Sequence, residues 1–600
     1  MRSSRSVVLG ATGEIGRWLV AELTGSGENV TIVMRNAAAR AEEYVKWIAA
    51  HQGQPDRLSI VEGDVTQDQL GIGKADRASL ADARLVYNLS GRYAWGLSPA
   101  EAAAVNVRGA ERVVAFAAEL AGKPRVVHAS GYLVAARQRL AQLGLQRDVM
   151  PSPRQWQRLY RELGAYEASK MEGDYAVRAA AKERGVNLTI INPAAVIGHS
   201  ETGEFSQVTG VGELVGQLWR GLMTAIPGTP DICVPQVPVD YLVKFIARVP
   251  ETDATPLAEY TVLSPDTPRF ADLIRLMAAH LGVKAPTRFI PVKLARVLLK
   301  AGLGKLTGSS PEPLSFLVPL AFDAASAEAA ALRIGLARPP IEPVIRKTLD
   351  HIIATRFGAA PSGRGRFKRL ANVVTFVDGD PAKAETILLH GLPLTGKSWD
   401  LLRAELERPA LAADLPGQGR SELVAQGSET EWLLELTRVS PGPVTLIAHS
   451  YACRAALQFA SRHPDRVAHL VLIAPYFQLA RLPLPLRSPA SAALLVRLGG
   501  ARQLVELDQN ADHLRRPGAA KAVAQRLKIV GLDSDRAALR DLLVTVAGKV
   551  PALVIEGSND KFVYELPNSV RHVVIEGAGH NPQITHAADV AQMVCGSLGK

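Results

Sequence analysis

The chain carries two groups of chemically active residues, one in each half, whose types suit unrelated reactions. The first half holds a glycine-rich turn, Gly10-Ala11-Thr12-Gly13-Glu14-Ile15-Gly16, and later Tyr166-Glu167-Ala168-Ser169-Lys170. The second half holds, in chain order, His390-Gly391, His449-Ser450-Tyr451, Asp560 and His580. The first group is typical of nucleotide-dependent carbonyl chemistry, and the second is typical of acyl transfer to water. We expect one substrate, or one pathway, to be handled at both sites.

The glycine-rich turn follows a predicted strand and opens a predicted helix. Glycines in that setting let the backbone approach a pyrophosphate, which rests on the amides at the helix N-terminus. The second predicted strand ends at Arg35, where an NAD enzyme usually has an acid for the ribose hydroxyl. Arg35 suits a 2′-phosphate instead, so the sequence favours NADP(H). Gly63-Asp64-Val65, after the third strand, is expected to contact the adenine.

Tyr166 and Lys170 are four residues apart and therefore share one face of a predicted helix. A lysine ammonium beside a phenol lowers the pKa of the phenol and lets it pass a proton to a carbonyl oxygen. Ser130, which ends the fifth predicted strand, can hydrogen-bond the same oxygen. These three residues form the candidate catalytic set of the first half.

The candidate nucleophile of the second half is Ser450. It lies in a sharp turn between a predicted strand, 444–448, and a predicted helix, 453–462, a setting that projects the serine oxygen above a sheet. The usual pattern is Gly-x-Ser-x-Gly, and both glycines are alanines here, at 448 and 452. Alanine is still small enough for the close crossing of strand and helix.

The remaining parts of an acyl-transfer site follow in order. The backbone amides of Leu392 and Tyr451 are expected to form an oxyanion hole. Asp560, after one strand, is placed to orient His580, which follows the next strand and acts as general base for Ser450. His390 and His449 are interpreted as structural.

Further motifs in the first half are Asn88-Leu89-Ser90-Gly91, Asn106-Val107-Arg108-Gly109, Asn192-Pro193-Ala194-Ala195-Val196-Ile197-Gly198 and Val237-Pro238-Val239-Asp240-Tyr241. With them, residues of about 6–355 resemble the extended short-chain dehydrogenase/reductase superfamily. The sequences Gly63-Asp64-Val65-Thr66, Leu70-Gly71-Ile72 and Ile197-Gly198-His199-Ser200-Glu201-Thr202-Gly203 look most like the thioester-reductase and fatty-acyl-CoA-reductase branch, in which NADPH reduces an acyl thioester.

The resemblance implies roles for individual residues. Ser130, Tyr166 and Lys170 would be catalytic, and Pro193 and Val196 would lie beside the nicotinamide. The expected cofactor-binding residues are Gly10, Thr12, Gly13, Glu14, Ile15, Gly16, Arg35, Asp64, Val65, Ser90, Asn106, Tyr166, Lys170, Pro193 and Val196. Two positions depart from the family: Glu14 puts a carboxylate near the phosphates, and Asn192 stands where an arginine is often found.

The second half resembles the α/β-hydrolase superfamily over about residues 370–600. The chain order Ser, Asp, His is the order of that superfamily, and Asp414-Leu415-Pro416-Gly417-Gln418-Gly419-Arg420-Ser421 matches its loop between strand and helix. A serine nucleophile excludes the aspartate of dehalogenases. Esterase, thioesterase, lactonase and carbon–carbon hydrolase or lyase activities all stay open.

The predicted fold class is α/β, because short apolar strands alternate with longer amphipathic stretches in both halves. We expect a Rossmann-type doubly wound parallel sheet with a small substrate lobe, followed by an α/β-hydrolase fold with a helical lid. The predicted boundaries are a reductase domain at 1–357, a linker at 358–367 and a hydrolase domain at 368–600, with its lid at about 478–548.

Composition narrows the class of partner. The 600 residues are 47% hydrophobic and 21% charged, with a net charge of +11. The basic residues are scattered, which argues against nucleic acid and suits anionic small molecules such as NADP or a CoA thioester. The three cysteines have no metal spacing and indicate a reducing compartment, so no metal site is expected. No apolar run spans a membrane and no signal peptide precedes the first strand, so a cytoplasmic location is expected.

The leading interpretation is a bifunctional enzyme that joins an NADPH-dependent reductase to a serine hydrolase. Its substrates would be small acyl or carbonyl compounds, either free or bound to CoA or to a carrier protein. Two alternatives stay open. The first half could be a hydroxyl dehydrogenase or epimerase acting on a ketone, or one half could have lost catalysis and serve as a scaffold or ligand sensor. The oligomeric state does not follow from the sequence.

Overall fold

The computed structural model describes residues 5–206, 208–307, 309–360, 365–424, 429–479, 512–530, 532–560, 564 and 566–597. The chain separates into two compact units. The first unit comprises Met1–Val215, Met223–Met277 and Pro286–Ile352, and the second comprises Gly216–Leu222, Ala278–Ala285 and Ile353–Lys600. Within the described ranges, no helix is both long and apolar enough to cross a membrane.

The first unit contains eleven strands among its described residues, most of them in one sheet. They are β1 (Arg5–Leu9), β2 (Asn29–Met34), β3 (Leu58–Glu62), β4 (Leu85–Asn88), β5 (Arg125–Ala129), β6 (Leu188–Pro193), β7 (Ala195–Ile197), β8 (Ile226–Pro227), β9 (Gln236–Pro238), β10 (Leu257–Val262) and β11 (Phe289–Ile290). Seven of these strands form a sheet of order β10-β6-β5-β4-β1-β2-β3, and every pair in it is parallel. The strand order reverses at β1, which places the carboxyl ends of β1 and β4 at a topological switch point.

Helices connect these strands and cover both faces of the sheet. Their bounds are Glu14–Gly25, Ala37–Ala50, Lys74–Ser79, Pro99–Ala103, Ala110–Glu119, Tyr132–Ala135, Arg137–Gln142, Pro153–Leu163, Ala165–Arg184, Glu213–Trp219, Val239–Arg248, Phe270–Leu281, Val292–Leu298, Gly304–Thr307, Ala325–Arg333 and Ile341–Ala354. Successive residues of β1 enter different apolar clusters, because side chains alternate between the faces of a strand. Val8 packs in one cluster, and Val7 and Leu9 pack in the other.

The second unit is built on a sheet of eight strands. They are β12 (Gly365–Leu370), β13 (Val373–Asp378), β14 (Thr386–Leu389), β15 (Ala410–Ala413), β16 (Val444–His449), β17 (Val467–Ile473), β18 (Ala552–Gly557) and β19 (Arg571–Ile575). The order is β12-β13-β15-β14-β16-β17-β18-β19, in which β13 pairs antiparallel with both β12 and β15 and the other pairs are parallel. The candidate nucleophile thus follows a central strand, β16.

The helices described in the part of the chain that forms this sheet are Asp400–Glu405, Glu429–Arg438, Ala452–Arg462, Ala519–Val530, Asp533–Ala547, Pro582–Thr585 and Ala587–Ser597. Both faces of β16 are buried, since Leu446 and Ala448 pack in one apolar cluster and Ile447 packs in another. Of the predicted lid, residues 480–511 and 531 lie outside the described residues, and its other parts are mainly helical.

The predicted fold class is confirmed: the chain is α/β, with a Rossmann-like parallel sheet followed by a sheet of α/β-hydrolase type. Three details differ from the expectations. Residues 365–367 of the predicted linker lie in β12, and residues 361–364 fall outside the described residues. The amphipathic pattern of residues 100–120 predicts one continuous helix, which the structure interrupts with a π-helical turn at Ala104–Gly109. Strands β7 to β13 were not predicted.

Candidate active sites

The glycine-rich turn has the geometry of a phosphate-binding site. Gly10 has a φ of 79°, and a Cβ on it would lie 2.4 Å from the backbone carbon of Leu89. A Cβ on Gly16 would lie 2.2 Å from the carbonyl oxygen of Gly10, so both positions require glycine. The helix begins at Glu14, and Gly13 before it is exposed, with Thr12 and Ile15 partly exposed. The amides at this helix N-terminus can therefore receive a pyrophosphate.

Glu14, the departure from the family pattern, is buried against a distant loop. Its carboxylate accepts hydrogen bonds from the backbone amide and the hydroxyl of Ser206, and Arg17 lies 3.8 Å from the same oxygen. The other carboxylate oxygen is buried and has no hydrogen-bond partner among the described residues. Burial raises the pKa of Glu14, against the lowering effect of Ser206 and Arg17. The side chain thus joins the turn to the loop that contains Ser206.

Arg35 lines a pocket of about 390 Å³ beside the end of β2. Arg40, which the sequence analysis did not single out, lines the same pocket. The carboxylate of Glu62 accepts hydrogen bonds from the amides of Asn36 at 2.9 Å and Ala37 at 2.7 Å. Two guanidinium groups in one pocket give it the positive charge that can bind an anionic group.

Asp64 and Val65, which the sequence predicts to lie beside the adenine, are held by local contacts. The carboxylate of Asp64 accepts hydrogen bonds from the amide and hydroxyl of Thr66, each at 2.8 Å, and lies 3.9 Å from Arg35. Val65 is half-buried next to Gly109, where a Cβ would lie 3.1 Å from its side chain. These contacts hold the turn after β3.

The structure places Ser130 and Lys170 at the same end of β5. The Lys170 ammonium donates a hydrogen bond of 2.6 Å to the carbonyl of Ala129, the residue before Ser130. Burial lowers the pKa of Lys170 to about 8. The Ser130 hydroxyl is buried and has no hydrogen-bond partner among the described residues, which leaves it free to bind a substrate oxygen.

Tyr166 lies in an aromatic cluster, with ring centroids 4.7 Å from Tyr93, 6.0 Å from Trp95 and 6.4 Å from Phe316. The expectation that the nearby lysine lowers the pKa of this phenol is wrong. Burial among the rings raises that pKa, and the carboxyl of Glu167 raises it further. A neutral phenol is a proton donor, which suits the reduction of a carbonyl group.

Asn106 and Ser90 support the neighbouring backbone. Asn106 lies in the π-helical turn, donates to the hydroxyl of Ser169 at 2.8 Å and accepts from the amide of Arg92 at 2.8 Å. The hydroxyl of Ser90 donates to Asn88 at 2.5 Å. Both predicted cofactor contacts therefore have protein partners here, and Asn106 braces the helix that carries Lys170.

Pro193 ends β6, and Val196 lies half-buried in β7. Asn192, the second departure from the family pattern, is fully buried and donates a hydrogen bond of 3.0 Å to Glu259. Glu259 also pairs with Arg178 at 2.9 Å. Asn192 thus belongs to a buried polar network behind the carboxyl end of the sheet.

Ser450 has the strained backbone expected of a nucleophile between strand and helix. Its φ is 50°, in the left-handed region, and its amide donates a hydrogen bond of 2.9 Å to the carbonyl of Ile473. The helix that follows begins at Ala452. Ala448 and Ala452 are both fully buried, so the two alanines are accommodated at the crossing of strand and helix.

The structure brings Ser450, His580 and Asp560 together. The Oγ of Ser450 lies 3.0 Å from the Nε2 of His580, and the Nδ1 of His580 lies 2.7 Å from the Oδ2 of Asp560. Because a carboxylate can only accept, Nδ1 carries the proton and Nε2 can accept the proton of Ser450. This arrangement can activate a serine for attack on an acyl carbon.

Leu392 and Tyr451 flank this serine. Within the described part of the chain, neither amide donates a hydrogen bond to a protein group, so both are available to an oxyanion. Gly391 must be glycine, because a Cβ there would lie 2.5 Å from His449 and 3.0 Å from the Cβ of Ser450.

His390 and His449 hold backbone groups around the site. Nε2 of His390 accepts a hydrogen bond of 3.1 Å from the amide of Leu415. Nε2 of His449 donates at 2.7 Å to the carbonyl of His580, and burial lowers the pKa of His449 to about 3. Their geometry agrees with the structural role predicted for both.

Comparison with known proteins finds a matching family model for two parts of the chain. Residues 8–246 match the family model of the male sterility protein, and residues 386–593 match that of the alpha/beta hydrolase family. The first part of the chain is thus similar to an NAD-binding, reductase-like family and the second to a hydrolase family, as the resemblances implied.

Individual relatives match parts of the chain. Lipase LipV of Mycobacterium tuberculosis is 33% identical over 107 residues, which is 16% of this chain and only 39% of the lipase. The pimeloyl-[acyl-carrier protein] methyl ester esterase of Neisseria meningitidis serogroup B is 26% identical over 242 residues, 35% of this chain and 92% of the esterase. The solved terminal R domain of the myxalamid PKS-NRPS biosynthetic pathway is 21% identical, with a TM-score of 0.47, and covers 60% of this chain and 93% of that domain.

Proposed function

We propose that the chain is an NADPH-dependent reductase of acyl thioesters or related carbonyl compounds, fused to a serine hydrolase of esters or thioesters. The observation that carries the hydrolase is the contact of His580 with both Ser450 and Asp560, at 3.0 Å and 2.7 Å. The free hydroxyl of Ser130 beside the buried Lys170 supports the reductase. The reacting group in both sites would be an acyl or carbonyl carbon.

In the hydrolase, His580 removes the proton of Ser450 as the serine oxygen attacks the acyl carbon. The amides of Leu392 and Tyr451 stabilise the negative oxygen, and His580 then returns the proton to the departing alcohol or thiol. Water, activated by the same histidine, cleaves the acyl-serine bond and releases the acid. Asp560 keeps the imidazole in the required tautomer throughout.

In the reductase, bound NADPH supplies the hydride that reduces the substrate carbon. Ser130 donates a hydrogen bond to the substrate oxygen, and the neutral phenol of Tyr166 delivers the proton that this oxygen needs. Lys170 holds the neighbouring backbone through its hydrogen bond to the carbonyl of Ala129. The glycine-rich turn and the exposed N-terminus of its helix would hold the pyrophosphate.

The preference for NADP(H) over NAD(H) rests on Arg35 and Arg40, which share the pocket beside β2. A charge-assisted contact to a 2′-phosphate contributes roughly 1.5–3 kcal/mol, or about ten- to a hundredfold in affinity. Glu62 in the same pocket has its carboxylate engaged by two backbone amides. Asp64 lines the same pocket, where it accepts hydrogen bonds from Thr66 and lies 3.9 Å from Arg35. With both carboxylates engaged by protein groups, the two guanidinium groups are the charges proposed to select the cofactor.

The nature of the acyl substrate has support from both halves. The motifs of the first half look most like those of thioester reductases, and the esterase from Neisseria meningitidis acts, by its name, on a methyl ester carried by an acyl-carrier protein. We infer small acyl substrates that are bound to CoA or a carrier protein, handled by domains at 1–357 and 368–600. The three cysteines are free thiols, which supports a reducing, cytoplasmic compartment.

The purified full-length protein tests the proposal directly. It should oxidise NADPH with acyl-CoA and release the aldehyde or alcohol, and it should react with NADH much more slowly. Turnover with ketones but not with acyl-CoA would favour the alternative, a hydroxyl dehydrogenase. Failure of a fluorophosphonate to label Ser450, or of NADPH to bind in a fluorescence titration, would identify a half without catalytic function.

A further inference from the structure

A short helical segment of the first unit has an unusually apolar surface. Among the described residues, sixteen large apolar side chains are strongly exposed, and five of them fall between residues 289 and 303: Phe289, Leu294, Val297, Leu298 and Leu303. The helix Val292–Leu298 contains no buried residue, although five of its seven residues are apolar. Scattered exposed apolar residues are ordinary, but a cluster of this kind marks an interaction surface.

The apolar and basic side chains of this segment lie on adjacent faces. Leu294, Val297 and Leu298 follow the i, i+3, i+4 spacing of one helix face, and their exposed fractions are 49%, 60% and 41%. Lys293, Arg296 and Lys300 follow the i, i+3, i+7 spacing of a second face. The segment is therefore amphipathic, with apolar side chains turned outward instead of toward a protein core.

The charge of the segment has a single sign. Residues 285–304 contain four basic residues, Arg288, Lys293, Arg296 and Lys300, and no aspartate or glutamate. Arg288, Lys293 and Lys300 are exposed. A surface of this composition is complementary to a negatively charged partner that also offers an apolar interior.

We propose that residues 288–303 form a peripheral membrane-binding surface that docks on anionic lipid bilayers. Interfacial helices place Leu and Phe side chains at the boundary of the acyl chains, while Lys and Arg remain at the anionic headgroups. Each basic residue near such a surface contributes about 1 kcal/mol, which is roughly a fivefold gain in affinity. Negative charge alone would fit an acidic protein as well as a bilayer. The exposed apolar side chains favour the bilayer, because they can enter its acyl-chain boundary.

The surface adjoins the candidate reductase site of the same unit. Arg296 donates a hydrogen bond of 3.4 Å to the carbonyl of Glu162, at the end of the helix Pro153–Leu163. Arg296 also lowers the pKa of Glu167, although burial, the largest effect, raises it. Glu167 follows Tyr166 directly, so a docked bilayer would lie near the candidate reductase site.

Vesicle co-sedimentation of the full-length protein tests this proposal without reference to either activity. Vesicles of phosphatidylcholine with 30% phosphatidylglycerol (about one anionic lipid in three) should bind the protein, and pure phosphatidylcholine vesicles should bind it at least about tenfold more weakly. The double variant Lys293→Glu/Lys300→Glu should lose roughly 25-fold or more in affinity for the anionic vesicles. Val297→Glu/Leu298→Glu should lose at least about tenfold.

Leu332→Glu is the matched control, because Leu332 is 83% exposed on another helix of the same unit, Ala325–Arg333. It should bind vesicles like the unchanged protein, and all variants should keep their melting temperature. Anionic vesicle binding that is absent, or equal in the variants and the unchanged protein, would overturn the proposal. A dimer that Val297→Glu/Leu298→Glu converts to monomer, or an acidic carrier protein that loses affinity for that variant, without vesicle binding, would assign the surface to a protein and also overturn it.

Discussion

The imidazole of His449 donates a hydrogen bond of 2.7 Å through Nε2 to the backbone carbonyl of His580. The residue before the candidate nucleophile thus holds the backbone of the candidate general base. The Nδ1 of His449 is buried and has no hydrogen-bond partner among the described residues. The role of His449 in the site is therefore to donate this one hydrogen bond through Nε2.

This contact predicts a graded response to substitution. His449→Leu removes the donor and should lower kcat for a p-nitrophenyl ester by about tenfold, the effect of one lost hydrogen bond, with little change in KM. His449→Gln keeps an N–H at a similar position and should retain kcat within about threefold. Equal activity of the two variants would show that the hydrogen bond to His580 does not position the base.

The buried histidines predict how stability depends on pH. Burial lowers the pKa of His128 and His449 to about 3 and that of His513 to about 4, below the usual value near 6.5. Because the unfolded chain binds protons that the folded chain does not, the stabilisation is complete above about pH 6.5 and is lost as pH falls toward 4. Each histidine should contribute a decrease of about 1–2 kcal/mol in the free energy of unfolding between pH 7 and pH 5.

Urea denaturation at the two pH values measures this decrease. The His449→Gln variant supplies the control, since its stability should fall less on acidification than that of the unchanged protein. A variant whose stability falls just as steeply would mean that His449 is protonated in the folded state.

Cofactor selection is predicted to depend on the pocket beside β2. Arg35→Asp should weaken NADPH binding by about ten- to a hundredfold and narrow the difference from NADH, because a contact to the 2′-phosphate is lost. Arg40→Ala should act in the same direction. Fluorescence titration with both cofactors measures the effect, and Arg92→Ala, outside this pocket, is a suitable control. Equal affinity of the unchanged protein for NADPH and NADH would contradict the prediction.

The two halves are predicted to fold separately. Residues 1–358 contain a complete sheet, and residues 366–600 contain a sheet that lacks only Gly365 of β12. Each fragment should therefore be soluble and show a cooperative melt when expressed alone. The second compact unit also includes 216–222 and 278–285, so the 366–600 fragment should melt at a lower temperature than that unit in the full chain. If both fragments are insoluble while the whole chain is soluble, the predicted domain boundary is incorrect.

The sequence was most informative where chemistry and backbone geometry coincide. The serine, aspartate and histidine could be placed because each follows a recognisable strand, and parallel strands bring their carboxyl ends to one edge of a sheet. The strand Gly365–Leu370 was missed since its alternating charged residues, which suit an exposed edge strand, resemble a linker.

Properties that depend on tertiary contacts could not be predicted. The partner of Glu14 is Ser206, which lies 192 residues away in the chain. The pKa of Tyr166 is raised because its ring is enclosed, and local spacing to Lys170 carries no information about that enclosure. Arg40 lies in the first turn of the helix Ala37–Ala50 and lines the pocket of Arg35. A single basic residue in a helix does not indicate, from the sequence alone, that it faces a pocket.

The most direct test of a chain with two independent active sites is a comparison of hydrolase-site and reductase-site variants in two assays. Ser450→Ala should lower ester hydrolysis by about 10⁴-fold or more, His580→Ala should do the same, and the double variant should lose little further, because the residues act as one unit. Both should keep NADPH-dependent reduction, which Tyr166→Phe alone should abolish while leaving hydrolysis intact. Full esterase activity in Ser450→Ala, or the loss of both activities in either single variant, would contradict this account.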